Sequence, residues 1–248
     1  MIPVPLPGFT ATMVALSAVV GPGVYTPLYP AKGFERVPVA AFELDLEPVT
    51  NAEFLAFVRL HPEWRRGSVN PLLADRGYLG RWAGGETLGQ AAPDRAPVVE
   101  VSWFAARAYC DARGARLPTE AEWELAAAAS ATAKDGREDP AYLQEILSWY
   151  GSPSPEVLPE VGGRPANAWG VRDLHGLVWE WVEDFNATLA SVDNRSDKDP
   201  DRGLYCGGGA AAAAAKDDYA AFMRVAFRSS LSANYTTSNL GFRCARDP

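Results

Sequence analysis

The 248-residue chain has few of the side chains that most often carry catalysis or bind transition metals. Its only histidines are His61 and His175, so a three-histidine iron site is excluded, and no spacing indicates a histidine-centred hydrolase triad. Its only cysteines are Cys110, Cys206 and Cys244. Because their number is odd, at least one thiol stays unpaired if the other two form a disulfide.

The sequence also lacks a long apolar run, an internal repeat and an excess of positive charge. The apolar stretch 12–20 is too short to span a bilayer and no basic segment precedes it, so we predict no membrane insertion and no intact signal peptide. The net charge of −8 argues against nucleic acid or an anionic membrane as a partner. The glycine run 207–209 is not followed by the helix and lysine that are typical of a phosphate-binding loop.

Aromatic residues, in contrast, are abundant. Eight Trp, nine Tyr and ten Phe accompany a hydrophobic fraction of 48%, which is ample for a packed core. We interpret most of these rings as the contacts that hold a loop-rich fold together, and a few as the lining of a groove for extended peptide. The length suits one large domain, and no segment has the composition of a linker.

Local patterns predict short helices and short strands. The helices should begin at four residues whose side chains cap a helix N-terminus, namely Thr50, Ser102, Thr119 and Asp139. The last of these helices is expected to end at Leu147, and 60–100 is expected to be a long irregular excursion. Predicted strands cover 42–47, 203–208, 223–228 and 240–245. Short helices among short strands indicate an α+β fold.

Four short strings, taken in order, carry a family resemblance. They are PVTNAEF at 48–54, RLPTEAEW at 116–123, DLHGLVWEW at 173–181 and NLGFRC at 239–244. Over residues 13–246 the chain thereby resembles the formylglycine-generating enzymes, which form the sulfatase-modifying factor family. The resemblance implies one loop-rich α+β domain at 13–248, akin to C-type lectins, after an N-terminal extension at 1–12.

The resemblance also implies a disulfide. Cysteines that match Cys110 and Cys244 are bonded to each other in the family, whereas the residues alone allow two reduced, buried thiols. A disulfide implies an oxidising compartment, and we therefore expect an exported, periplasmic protein.

A calcium site is a third implication of the resemblance. In the family, the matching segment binds Ca²⁺ through side chains at the positions of Asp173 and Glu180 and through carbonyls at those of Gly176 and Val178. The residues alone favour another arrangement, in which Asp173 caps a turn and Glu180 pairs with a buried arginine.

The catalytic cysteines of the family do not appear at the matching positions. Those enzymes use oxygen to convert a peptide cysteine to formylglycine, and two cysteines five residues apart bind copper(I) and the substrate. Counting back from Cys244 places Ala220 at one position, and Ala212 or Ala215 at the other. Copper binding of the family's kind is therefore doubtful.

The oxygen pocket of the family is only half retained. Its tryptophan matches Trp179, but Gly209 stands where the family has serine. Cys206, close in sequence to the missing pair, is a candidate replacement copper ligand, alone or with His175. The alternative is that Cys206 is an unreactive thiol in a strand.

Three functions remain open on this evidence. We favour a non-catalytic, monomeric domain that binds a peptide or protein partner or assists maturation of a metalloenzyme. Within the superfamily it most resembles the NirV-like accessory proteins that accompany copper nitrite reductases, so a copper enzyme is a candidate partner. The second function is an oxidoreductase with altered copper ligation through Cys206, and the third is a structural, receptor-like domain.

Two arginines near the C-terminus lie one helical turn apart, or on one face of a strand. We interpret Arg224 and Arg228 as partners of acidic neighbours within the protein. The alternative is that they dock the carboxylate of a partner.

Overall fold

A computed structural model describes residues 16–28, 35–186 and 216–248 of the chain. The predicted N-terminal extension at 1–12 and the predicted strand at 203–208 lie outside these residues. So do Cys206, Gly209 and both candidate alanines at 212 and 215.

Short strands form three small sheets in the described part. The first sheet places β4 (Phe42–Asp45) between β1 (Ser17–Val20) and β7 (Ala245–Arg246), with both pairings antiparallel. The second pairs β2 (Gly23–Tyr25) with β3 (Val37–Val39). The third pairs β5 (Trp179–Glu180) with β6 (Leu240–Gly241) in parallel. The prediction of a strand at 42–47 is thus confirmed, although the observed strand ends two residues earlier, at Asp45.

Four helices begin where their caps predict. The helices are α1 (Asn51–Leu60), α2 (Trp103–Ala112), α3 (Glu120–Ala127) and α4 (Pro140–Tyr150). Each is preceded by a side chain that accepts a hydrogen bond from a backbone N–H of the first turn. Thr50 and Thr119 complete reciprocal capping boxes with Glu53 and Glu122. The fourth helix runs three residues beyond the predicted end, and Gly151 follows it.

One predicted strand is wrong. Residues 223–228 belong to α5 (Lys216–Ser229), a helix of 14 residues. On this helix Arg224 and Arg228 lie one turn apart, and both bind Glu124 on α3. Tertiary contacts therefore override the local pattern.

The four strings that carry the family resemblance converge in space. Trp179 and Trp181 donate their backbone N–H groups to Asn239 and Gly241, which joins the third string to the fourth. Val49 donates to Phe242, which adds the first string. A bridge between Arg116 and Ala245 places the second string beside them.

Aromatic rings and one disulfide hold this centre together. Phe54 lies with its ring centroid 5.7 Å from that of Tyr109 and 6.1 Å from that of Phe242. The disulfide joins Cys110 on α2 to Cys244, as the resemblance implies. The irregular stretch 60–100 is confirmed and is anchored at Trp82, whose Nε1–H donates to Asn51. None of the described helices combines the length and apolar character that a bilayer crossing requires.

Candidate functional site

Ala220, which counting back from Cys244 matches to one of the family's catalytic cysteines, lies on α5 and is buried. Its methyl group contributes to the wall of a cavity of about 610 Å³. The cavity lies between the β2 region, α3, α4 and α5. Because Ala220 lies in the wall of this cavity, the cavity is the candidate functional site.

Trp179 belongs to an aromatic cluster rather than to this cavity. Its ring stacks on Phe227 of α5 at 4.5 Å between centroids and on Tyr150 at 4.9 Å. Trp149 lies 5.3 Å away. In the family this tryptophan lines the oxygen pocket, whereas here three rings pack against it.

Beside the cavity, Glu124 binds two arginines of α5. Arg224 donates Nε and Nη2 to its carboxylate, and Arg228 donates Nη1 at 2.7 Å. Burial opposes ionisation of Glu124, but the two guanidinium groups outweigh it and hold the pKa of this carboxyl at about 2. The interpretation of these arginines as partners of internal acids is confirmed.

The network extends to both sides of Glu124. Arg228 also reaches Glu120 at 3.3 Å, and Arg224 donates Nη1 to the hydroxyl of Tyr150. Burial raises the pKa of Glu120. Sequence reasoning missed these acids as partners, although Glu120 and Glu124 have the same four-residue spacing as the two arginines.

His175 lines the cavity as a neutral ring. Its Nε2 lies 3.1 Å from the carbonyl oxygen of Ala127, which can only accept, so Nε2 carries the proton. Burial, with the nearby Arg224, lowers the pKa of the imidazole to about 3. The buried Nδ1 finds no partner within the described part of the chain. His61, in contrast, caps the C-terminus of α1 beside Phe57 and takes no part in the cavity.

Trp169 and Lys134 line the same cavity. The Nζ of Lys134 lies 4.0 Å from the centroid of the Trp169 ring. The indole Nε1–H of Trp169 is buried and, in the described chain, donates to no acceptor. No carboxylate among the described residues forms an ion pair with Lys134.

Glu180, the predicted calcium ligand of β5, is fully buried and bonded to protein donors. Arg243 donates Nη2 to Oε1 at 2.7 Å and Nε to Oε2 at 2.8 Å. The indole of Trp123 donates to Oε2 at 2.8 Å. The arrangement that the residues alone favoured, a carboxylate paired with a buried arginine, is therefore present.

Asp173 also meets backbone donors. Its carboxylate accepts from the N–H groups of Gly162 and Arg164. Asp173 and Gly176 adopt positive φ values of 57° and 93°, which wind this segment tightly, and a side chain at position 176 would overlap the Arg164 guanidinium. Within the described chain, Glu180 Oε1 and each Asp173 oxygen accept one hydrogen bond, from Arg243, Gly162 and Arg164. Calcium stays a prediction.

Transition-metal ligands are not assembled in the described ranges. No group of three or more His, Cys, Asp or Glu side chains within residues 16–28, 35–186 and 216–248 is placed to hold a metal. Ala220 offers no donor, and Cys206 lies outside the described residues. Copper(I) favours thiolate ligands, and the described side chains around Ala220 include none.

Comparison with known proteins identifies the relatives of this chain. A family model described as sulfatase-modifying factor enzyme 1-like domain matches residues 14–248. The chain is 31% identical to the formylglycine-generating enzyme of Mycobacterium tuberculosis, with 90% of this chain and 93% of that enzyme covered. It is 32% identical to that of Streptomyces coelicolor, with 88% and 83% covered.

Other relatives share the domain or the fold alone. The chain is 28% identical to the serine/threonine-protein kinase pkn1 of Chlamydia caviae over 83% of its own length, but it spans only 33% of that kinase. Solved structures of CarF and of PvdO from Pseudomonas aeruginosa superpose with TM-scores of 0.52 and 0.51 at 18% and 19% identity. The superposition with CarF covers 94% of this chain and 98% of CarF. The superposition with PvdO covers 94% of this chain and 92% of PvdO. By the family match and the two bacterial enzymes, this chain belongs to the sulfatase-modifying factor family, the family of the formylglycine-generating enzymes.

Proposed function

We propose that this domain is a non-catalytic member of its family that binds a peptide or protein partner, as an accessory or maturation factor. The observation that carries the proposal is the composition of α5. Counting back from Cys244 matches Ala220 to a copper-binding cysteine of the family, and the helix bears a methyl group there; at Phe227 it places a ring on Trp179. A side chain without sulfur cannot bind the substrate cysteine through copper(I).

The ion pairs of α5 support the same proposal. Glu124 holds two arginines of this helix at buried positions, and removing one partner of such a pair costs about 3 to 5 kcal/mol. These ion pairs place α5 in one register against α3, with Phe227 stacked on Trp179. An oxygen pocket at Trp179 would require these contacts to open.

An assay for formylglycine tests the proposal directly. The purified protein is incubated with copper, oxygen and a peptide containing Cys-x-Pro-x-Arg, and the peptide mass is measured. We expect no aldehyde, while the formylglycine-generating enzyme of Streptomyces coelicolor serves as the positive control. Formation of aldehyde by this chain would overturn the non-catalytic proposal.

The alternative function, with copper on Cys206, makes a different prediction. It requires stoichiometric copper(I) binding that disappears in Cys206→Ala but persists in Cys110→Ala. On the non-catalytic proposal, Cys206→Ala leaves copper binding unchanged.

We also propose that the 173–180 segment binds calcium. The acceptor capacity of Asp173 and Glu180 and the tight winding at Gly176 support it. Chelation should then lower the melting temperature of the wild-type protein. Glu180→Gln should abolish the response to chelator, and Glu183→Gln, three residues further on, should retain it. A wild-type melting temperature that does not change with chelator would contradict the calcium proposal and leave Arg243 and Trp123 as the partners of Glu180.

A further inference from the structure

Strand β2 meets the cavity along one of its edges. Each residue of 21–28 lines the cavity. Successive side chains of a strand point to opposite faces, so a surface that touches consecutive residues lies beside the edge of the strand. One face of β2 has a different neighbour, since a side chain at Gly23 would overlap Leu125 of α3. The edge of β2 that does not pair with β3 therefore borders the cavity.

The pairing with β3 leaves the backbone of Val24 without a partner. Val24 lies opposite Pro38, and Gly23 and Tyr25 lie opposite the residues on either side of it. In an antiparallel ladder, residue pairs that exchange two hydrogen bonds alternate with pairs that exchange none. Because proline has no N–H, the pair that contains Pro38 is one of those that exchange none. The N–H and C=O of Val24 therefore point away from β3, towards the cavity.

This edge is not covered by the rest of the chain as far as the structure describes it. Apart from the ladder with β3, no backbone group of the described residues forms a hydrogen bond with the backbone of residues 21–28. Val24 itself is 40% exposed. An unpaired strand edge is a template for one further strand, which supplies N–H and C=O groups at the same spacing.

The space beyond the edge can accommodate the side chains of such a strand. The cavity has a volume of about 610 Å³. Its wall includes Leu143 and Ile146 of α4 and Ala221 and Val225 of α5, all of them aliphatic. Alternate side chains of an added strand would point to this wall, so they should be aliphatic as well.

We propose that β2 binds an extended segment of a partner protein by strand addition, with aliphatic side chains at the alternate positions that enter the cavity. The inference rests on the proposed peptide-binding function and specifies where and in which conformation the peptide binds. The N–H of Val24 donates to a carbonyl of the peptide backbone, and its C=O accepts from a peptide N–H. These backbone contacts supply affinity, and the aliphatic wall supplies the sequence preference.

Methylation of the peptide amides tests the backbone contacts. The probe is an acetylated, amidated pentapeptide, threonine–valine–leucine–valine–threonine, and its amides are methylated one at a time. In strand addition only alternate peptide amides face β2. Titration into the full chain by calorimetry should show binding about 10-fold weaker after methylation at alternate residues and little change at the residues between them.

Two substitutions at one position separate the amide of Val24 from its side chain. Val24→Pro removes the N–H, which the ladder with β3 does not use, so little stability should be lost. Val24→Thr keeps the N–H and a β-branched side chain. We expect Val24→Pro to weaken binding of the probe about 10-fold and Val24→Thr to leave it unchanged, while both variants melt close to the wild-type temperature.

Amide hydrogen exchange, followed by NMR, locates the contact without any substitution. In the free protein the amides of Gly23 and Tyr25 should exchange slowly, because they bond to β3, and that of Val24 should exchange rapidly. A saturating concentration of the probe should slow exchange at Val24 about 10-fold or more and leave the other two amides unchanged.

The inference fails if the probe does not bind at millimolar concentration, if methylation at every residue has the same effect, or if the probe does not change exchange at Val24. Slow exchange at Val24 in the free protein also contradicts it, because another segment of this chain or a second copy then occupies the edge. All these results leave the non-catalytic proposal intact, since a partner can bind elsewhere. Aldehyde formation in the formylglycine assay overturns that proposal whatever the probe does.

Discussion

Glu124 determines how acid affects the attachment of α5. Two arginines hold its pKa at about 2, below the ordinary value of 4.5. Because the folded state lowers this pKa, the stabilisation is fully present above pH 4.5 and is lost as the pH falls towards 2. The shift corresponds to roughly 3 kcal/mol.

We therefore predict that Glu124→Gln removes this part of the acid response. At pH 6 the variant should be less stable than wild type by about 3 to 5 kcal/mol, because it leaves two buried guanidinium groups without their carboxylate. The difference should shrink as the pH is lowered towards 2. Denaturant unfolding of both proteins across this range measures it, and a difference that stays constant with pH would contradict the assignment. Glu120 is present in both proteins. Burial raises its pKa and the charge of Glu124 raises it further, so Glu124→Gln also changes the contribution of Glu120 to the acid response.

At the scale of elements, the attachment of α5 depends on apolar stacking as well as charge. Phe227 stacks on Trp179 and is half-buried. Phe227→Ala should cost about 1 to 3 kcal/mol and speed hydrogen exchange in α5. Tyr219→Ala is the matched control, because Tyr219 lies on the same helix with 42% of its surface exposed. Equal losses in the two variants would show that the Trp179 contact does not hold the helix.

The sequence predicted helix starts better than it predicted α5. Thr119 and Glu122 satisfy each other within one turn, so the start of α3 is a local property that the segment 119–122 reveals. The helical state of 223–228 is not local. It depends on Glu124, a hundred residues earlier, which no pattern within the segment contains.

Much the same distinction applies to the candidate site. The disulfide followed from matching short strings, because each string fixes the register of its neighbours. The cavity could not be predicted, since Val24, Leu143 and Val225 come from separate stretches that only the fold brings together. The orphan atoms of Trp169 and His175 likewise become visible only once every neighbour is placed.

At the scale of the whole molecule, one covalent bond joins distant parts of the chain. The disulfide spans 134 residues, and the chain-entropy estimate for such a loop is about 4 to 5 kcal/mol. Joint replacement of Cys110 and Cys244 by alanine should lower the free energy of unfolding by an amount of this order and make the protein insensitive to reductant. Cys206→Ala, the matched control, should keep the reductant response of wild type. A loss under 1 kcal/mol in the double variant would show that packing alone holds α2 to the C-terminal strands.

The position of β4 in the first sheet has a consequence for modular use of the domain. Both β1 and β7 pair with β4, so Ala18 and Ala245 flank Leu44 on opposite sides. Two inter-strand spacings amount to about 10 Å, a gap that three or four extended residues bridge. Because both pairings are antiparallel, β1 and β7 run parallel to each other, so the chain enters this sheet at Ser17 beside Asp45 and leaves it at Arg246 beside Glu43, towards the other end of β4. A linker for circular permutation of the domain would therefore have to run back along the sheet as well as across it.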